Sequence, residues 1–236
     1  MQDLTECERQ LQDAFPLGGL VDLRAGDPGV DDPRTGAGWG SDRTIRAEVI
    51  RGLLLKSREA GQGAVPAVRL MGARIVGPLD LAHADFSYPV FLKSCWFEKI
   101  PDWRWMAAGY LDLSHSTLPG ILADNVRVEA DLVISDCHIN GEVALYSAYV
   151  GGNFDLRRSH VDHPSGRALN ATGATVTGDL LMGSLTASGE IWLLDTHISG
   201  CFDLSGAILS NPDGVALESS RISVEGARVL PQWFHL

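Results

Sequence analysis

The chain has little of three things: uninterrupted apolar sequence, paired cysteines and positive charge. Its apolar runs, such as "IRGLLL" at 50–55 and "LVI" at 132–134, fall far short of the roughly 20 residues that cross a bilayer. The N-terminal "MQDLTECERQLQDAF" carries acids where a secretory leader needs a basic stretch and then an apolar one. The expected location is therefore the cytoplasm, with no membrane contact. Cys7, Cys95, Cys137 and Cys201 are scattered, without the paired spacing of a zinc site, and are too few for a disulfide framework in 236 residues. Reduced thiols are expected, with no metal and no cofactor.

Lysine and arginine number 19 against 30 aspartates and glutamates, a net charge of −11. The balance is uneven along the chain. Residues 1–42 hold nine acids and three bases, residues 43–74 two acids and seven bases, and residues 75–224 eighteen acids and eight bases. A broad acidic surface argues against direct nucleic-acid binding and leaves a protein partner or a small molecule. It also serves plain solubility.

What the sequence does have is a repeat. From Ile75, apolar or small residues recur at Phe86, Phe97, Ala108, Leu118, Val128, Ile139, Val150 and Val161 in steps of ten or eleven. The register jumps fifteen to Val176, resumes through Ala187, Ile198 and Leu209, and jumps fifteen again to Val224. Each jump carries one phrase, "HPSGRALNA" from His163 and "NPDGVALES" from Asn211, 48 residues apart. Within a unit, an apolar pair two residues apart (Phe154 and Leu156, Phe202 and Leu204) reads as a short strand with one buried face. Two residues before the anchor stands a small side chain, as at Ala84, Cys95, Ser116, Cys137, Ala148 and Ser159, which suits a crowded inside corner.

A constant period over about 150 residues is what a solenoid requires, because each coil stacks its inward side chains on the last. Eleven residues are too few to enclose a filled interior, so eleven reads as half a coil and about 22 as a full one. The fifteens read as four-residue bulges at one corner. The fold expected is mainly β, a parallel β-helix over residues 61–236, with N-terminal helices, loop and cap over residues 1–60. Thr5 and Glu8 form a capping-box pattern for a first helix through Phe15. A second helix is expected after Ser41 or Asp42, carrying Ile45, Val49, Ile50, Leu53 and Leu54 over the first coil, with residues 24–42 as a loop between the two.

"ADF", "LADNV" and "FDLSGA", with the small-then-apolar corner, resemble the pentapeptide-repeat fold, a right-handed quadrilateral β-helix. "LVDLRAGDP", "GAGWGSDRTIRAEVIRGLLL", "VPAVRLMGARIVGPLDL", "CWF" and "NPDGVAL" are similar to a narrower actinobacterial group often labelled membrane-associated oxidoreductases. The fold is carried over. The label is not, since no segment suits a membrane and "GAGWG" at 36–40 lacks the strand and spacing of a dinucleotide site. The resemblance implies an interaction protein: some pentapeptide-repeat proteins resemble DNA in shape and charge and bind DNA gyrase. The interrupted register and the basic segment near the N-terminus fit that partner less well. Trp233, Phe234 and Leu236 suit either a plug for the last coil or a contact with a second subunit, and the resemblance implies a homodimer through that C-terminal end.

If eleven is half a coil, outward columns follow. One face carries Arg74, Trp96, Thr117, His138, His160 and Thr186; the opposite face carries Asp85, Ala107, Arg127, Tyr149, Thr175 and His197. His138 and His160 then stack as neighbours able to move protons near neutral pH, and they also read as a polar surface ladder. His115 is a third candidate, in the aromatic-rich segment 95–115. Trp105 and Tyr110 depart from the repeat, where a grafted site is expected, and with Tyr146, Tyr149 and Trp192 could line a groove for a planar or apolar ligand. Three functions stay open: an interaction protein presenting an acidic β-helix face to a protein partner, an enzyme or small-molecule binder of a specialised biosynthetic pathway, or a structural scaffold or immunity partner with no intrinsic activity.

Overall fold

The apolar anchors of the repeat, from Ile75 through Ile198, are all buried in the computed structural model, which describes residues 3–55 and 64–229. Successive anchors alternate between two opposite faces. Ile139 pairs with Leu118 and Val161, whereas Val150 pairs with Val128 and Val176, every pairing being parallel. Eleven residues thus make half a coil and 22 a whole one. A representative coil runs through four short strands: Thr117–Leu118 on a first face, Ile121–Leu122 on a second, Arg127–Val128 on a third and Leu132–Val133 on a fourth. His138–Ile139 then lands back on the first face, one coil further on. The result is a four-sided parallel β-solenoid with one continuous apolar interior.

Two of the four corners turn by the same device. Ser94, His115, Asp136, Arg158 and Ser184 lead into the first face, and His83, Trp105, Asn125, Ser147, Asp195 and Arg221 into the third, all with positive φ. A left-handed side-chain-bearing residue costs roughly 1–2 kcal/mol. The cost is offset by the backbone ladder, in which the amides from His83 through Asp195 donate to the next coil, as from His115 to Ser135 and from Asp136 to Arg157. The residue that follows points inside; the small side chain expected there is found at Ala84, Cys95, Ser116, Cys137, Ala148 and Ser159, but Met106, Val126 and Leu185 are buried at the same position, so the corner also accepts larger apolar groups. There Ser116 and Ser159 accept from the backbone N–H groups of Cys95 and Cys137 at 3.0 Å and donate to Leu92 and Ile134 carbonyls.

The 48-residue repetition is a corner clasp. His163 Nδ1 donates to the Arg167 carbonyl at 2.9 Å, and Asn211 Nδ2 to the Val215 carbonyl at 3.1 Å, so each closes its four-residue bulge between the first and second faces. Gly189 lies between them at φ +118°, where a Cβ would stand 2.3 Å from the His163 carbonyl oxygen.

The N-terminal segment joins the solenoid instead of merely covering it. Helix α1, Glu6–Ala14, begins with the full capping box of Thr5 and Glu8. Strands Leu20–Asp22 and Thr44–Arg46 pair in parallel with Val68–Met71 and Arg74–Val76, adding a rung to the fourth and first faces. Helix α2, Ala47–Leu55, consequently starts later than Ser41 or Asp42 predicts, because Thr44–Arg46 is spent on that pairing and Ile45 is a buried strand residue. The expected loop at 24–42 is a strap laid on the first face. Gly36 of its 3₁₀ segment (Pro33–Gly38) sits so close to Trp96 that a Cβ would stand 2.3 Å from that side chain. Arg43 stacks 3.6 Å over Trp39 and pairs with Asp31 at 2.7 Å, both partners nearly buried. The boundary placed at residue 60, and Trp233, Phe234 and Leu236 of the expected dimer end, lie outside the described residues.

Candidate functional site

The fourth face gathers acid in a way that no single column of the sequence reveals. Its outward ladder reads Asp112, Val133, Asp155, Leu181, Asp203 and Val229, alternating acid with aliphatic. Two residues earlier runs a second column, Tyr110, Asp131, Asn153, Asp179 and Cys201, offset by one coil. Asp112, Asp131, Asp155, Asp179 and Asp203 therefore zigzag up five successive coils, one acid in each.

Stacked in one column, neighbouring carboxylates would sit about 4.8 Å apart; the two-residue offset widens this to roughly 8 Å. In water that lowers each repulsion from about 0.9 to about 0.5 kcal/mol. Every acid of the line also holds the backbone: Asp112, Asp155 and Asp203 accept from the N–H two residues on, and Asp131 and Asp179 from that of Asn153 and Cys201 in the next coil. Lys93 neutralises Asp112 at 3.1 Å and Arg157 neutralises Asp155 at 2.7 Å. Asp131, Asp179 and Asp203 form no salt bridge among the described residues, although Arg157 is close enough to feel the charge of Asp203, and each keeps one oxygen for an outside donor. Tyr110 sits among these charges. Burial first, then Asp112, Asp131 and Asp155, push its hydroxyl up to about 12 and keep it neutral.

The histidine columns lie as the half-coil reading places them. His138 pairs with His160, ring centroids 6.0 Å apart, between Thr117 and Thr186. Burial lowers the His138 pKa, and the charges of Arg34 in the strap and of His160 lower it further, against an opposing pull from Asp32. His115 is at the corner before this face, 4.0 Å from Asp136, which Arg158 holds with two hydrogen bonds. No group of three or more His, Cys, Asp or Glu side chains suited to a metal occurs among the described residues. Nor is any described helix long and apolar enough to cross a membrane.

The five candidate aromatics do not converge. Trp105, 59% exposed and stacked on His83, and Tyr146, 49% exposed, occupy the corner between the second and third faces, two coils apart. Tyr110 lies on the fourth face against Phe91, centroids 5.0 Å apart. Tyr149 is on the third face beneath Arg127, and Trp192 on the second beneath Arg167. They share no groove. The zigzag is what sequence reasoning missed, and a signal for it existed: Asp131, Asp155, Asp179 and Asp203 recur every 24 residues, alternately two more than a plain 22-residue coil and two fewer than the 26-residue coil from Asp155 to Leu181. No family model, curated protein or solved structure matches the chain, so the functional reading rests on its own residues.

Proposed function

We propose that the protein is a non-catalytic interaction module whose fourth face docks a basic α-helix of a protein partner. One acid per coil in five consecutive coils carries the reading, with Asp131, Asp179 and Asp203 left without a salt bridge among the described residues. A helix advances about 1.5 Å per residue, so basic residues three or four apart recur every 4.5–6 Å, close to the coil rise of about 4.8 Å. A helix laid along the solenoid axis can present cations in step with the coils to Asp131, Asp179 and Asp203, while Val133 and Leu181 give its apolar flank a seat.

The test is a titration with a helical peptide carrying Arg at every third or fourth position, against a scrambled peptide of equal composition. The striped peptide should bind more tightly, weaken as salt rises, and lose roughly tenfold or more in affinity to the triple variant D131N/D179N/D203N. Equal binding of both peptides, or indifference to the triple variant, would sink the proposal.

A further inference from the structure

Away from the acid line, the strap and the corner before the first face flank an open cleft of about 720 Å³. That is within the size range of small-molecule sites. The strap contributes Arg24, Pro28, Asp31 and Asp32; the solenoid contributes Asp22, Met71, Lys93, Ser94 and His115.

The formal charges lining this cleft nearly cancel, but their hydrogen-bonding capacity does not. Asp22 accepts the backbone N–H, Nε and Nη2 of Arg24. Asp31 accepts the Ala25 and Gly26 N–H groups and Arg43 Nη1. Asp32 accepts the backbone N–H and the guanidinium of Arg34. All three carboxylates are thus occupied by the chain's own donors. The donors facing them are only partly spent. Lys93 spends one contact on Asp112, His115 has only a 4.0 Å approach to Asp136, and Arg24 retains Nη1. Behind the strap wall, buried Arg43 Nη2 has no hydrogen-bond partner. The unspent capacity is therefore cationic and donating, over an apolar seat of Pro28 and Met71.

We infer that this cleft binds a small organic anion, a carboxylate or phosphate ester on an apolar body. Its charged end meets Lys93, His115, Ser94 and Arg24, and its body rests on Pro28 and Met71. Anions recruit such donors through charge-assisted hydrogen bonds, and the apolar seat favours an organic anion over an inorganic one.

Amide chemical shifts test this with phenyl phosphate, benzoate, inorganic phosphate and benzyl alcohol as probes. Phenyl phosphate or benzoate should shift the Gly26, Ser94 and His115 amides saturably, and comparing the two separates the phosphate source from the carboxylate one. Inorganic phosphate should bind more weakly, and benzyl alcohol should leave these amides unmoved. Arg24→Gln and His115→Gln alter side chains that are 40% and 58% exposed, so the fold is retained; each should weaken binding at least about fivefold. The inference is overturned if neither organic anion shifts these amides, if benzyl alcohol binds as tightly, or if both variants bind like the parent.

Discussion

Replacing Glu8 by Gln should loosen the N-terminal cap by about 3 kcal/mol at neutral pH, an effect that acid should reproduce in the parent. Glu8 is fully buried, and its carboxylate accepts four N–H groups: that of Thr5 at 3.0 Å, the backbone of Arg46 at 3.0 Å, and Arg46 Nε and Nη2 at 2.8 and 2.6 Å. It both caps α1 and ties that helix to the first-face strand Thr44–Arg46. Burial alone would raise its pKa, but the Arg46 guanidinium and the two backbone donors hold it at about 2, down from an ordinary 4.5. At about 1.4 kcal/mol per pH unit, that displacement is worth about 3 kcal/mol to the folded state. The folded pKa is depressed, so the stabilisation is complete above about 4.5 and is lost as pH falls toward about 2.

The assay is urea unfolding across this pH range, joined to hydrogen exchange of the α1 amides. Parent minus variant should be constant at neutral pH and shrink by about 3 kcal/mol through the acid window, because the amide of the Glu8→Gln variant has no proton to gain. Parallel pH profiles, or a neutral-pH difference below about 1 kcal/mol as for an exposed pair, would refute the reasoning.

Phe154→Ala empties a site in the stacked interior, where the ring is 2% exposed; it should cost about 3–5 kcal/mol and lower the Tm measured by calorimetry. Gly189→Ala forces a Cβ to 2.3 Å from a backbone oxygen at φ +118° and should destabilise clearly, whereas Gly38→Ala, with open space, should change the Tm little. Arg34→Gln removes a cation that depresses His138, so an NMR titration should find the His138 pKa higher in the variant; an unchanged value would mean that the strap does not act on this pair. Burial pushes the Cys95 and Cys137 thiols up to about 12, so both should resist thiol reagents until the chain unfolds.

The β-solenoid was legible because its signal is periodic: Ile139, Val150 and Val161 each repeat one steric requirement, and the columns through His138 and Tyr149 follow from it by counting. Thr5 and Glu8 were legible because a capping box is local. The strap was not, since its seat depends on one close approach, Gly36 on Trp96, between segments sixty residues apart with no shared period. The acid line escaped because Asp131 and Asp155 belong to different columns. The two become neighbours only once the coil length is known residue by residue.

The corner clasps of His163 and Asn211 bear on how such a chain can change length. Each confines its extra residues to the outside of one corner, and Leu169 and Leu217 return to the second-face ladder in register with Ile191 between them. A 48-residue block, one clasped coil and one plain coil, therefore begins and ends at equivalent points of the stack. Duplication or loss of a whole block would join like to like, so the gene could lengthen or shorten the molecule in steps of two coils without redesigning a single core contact.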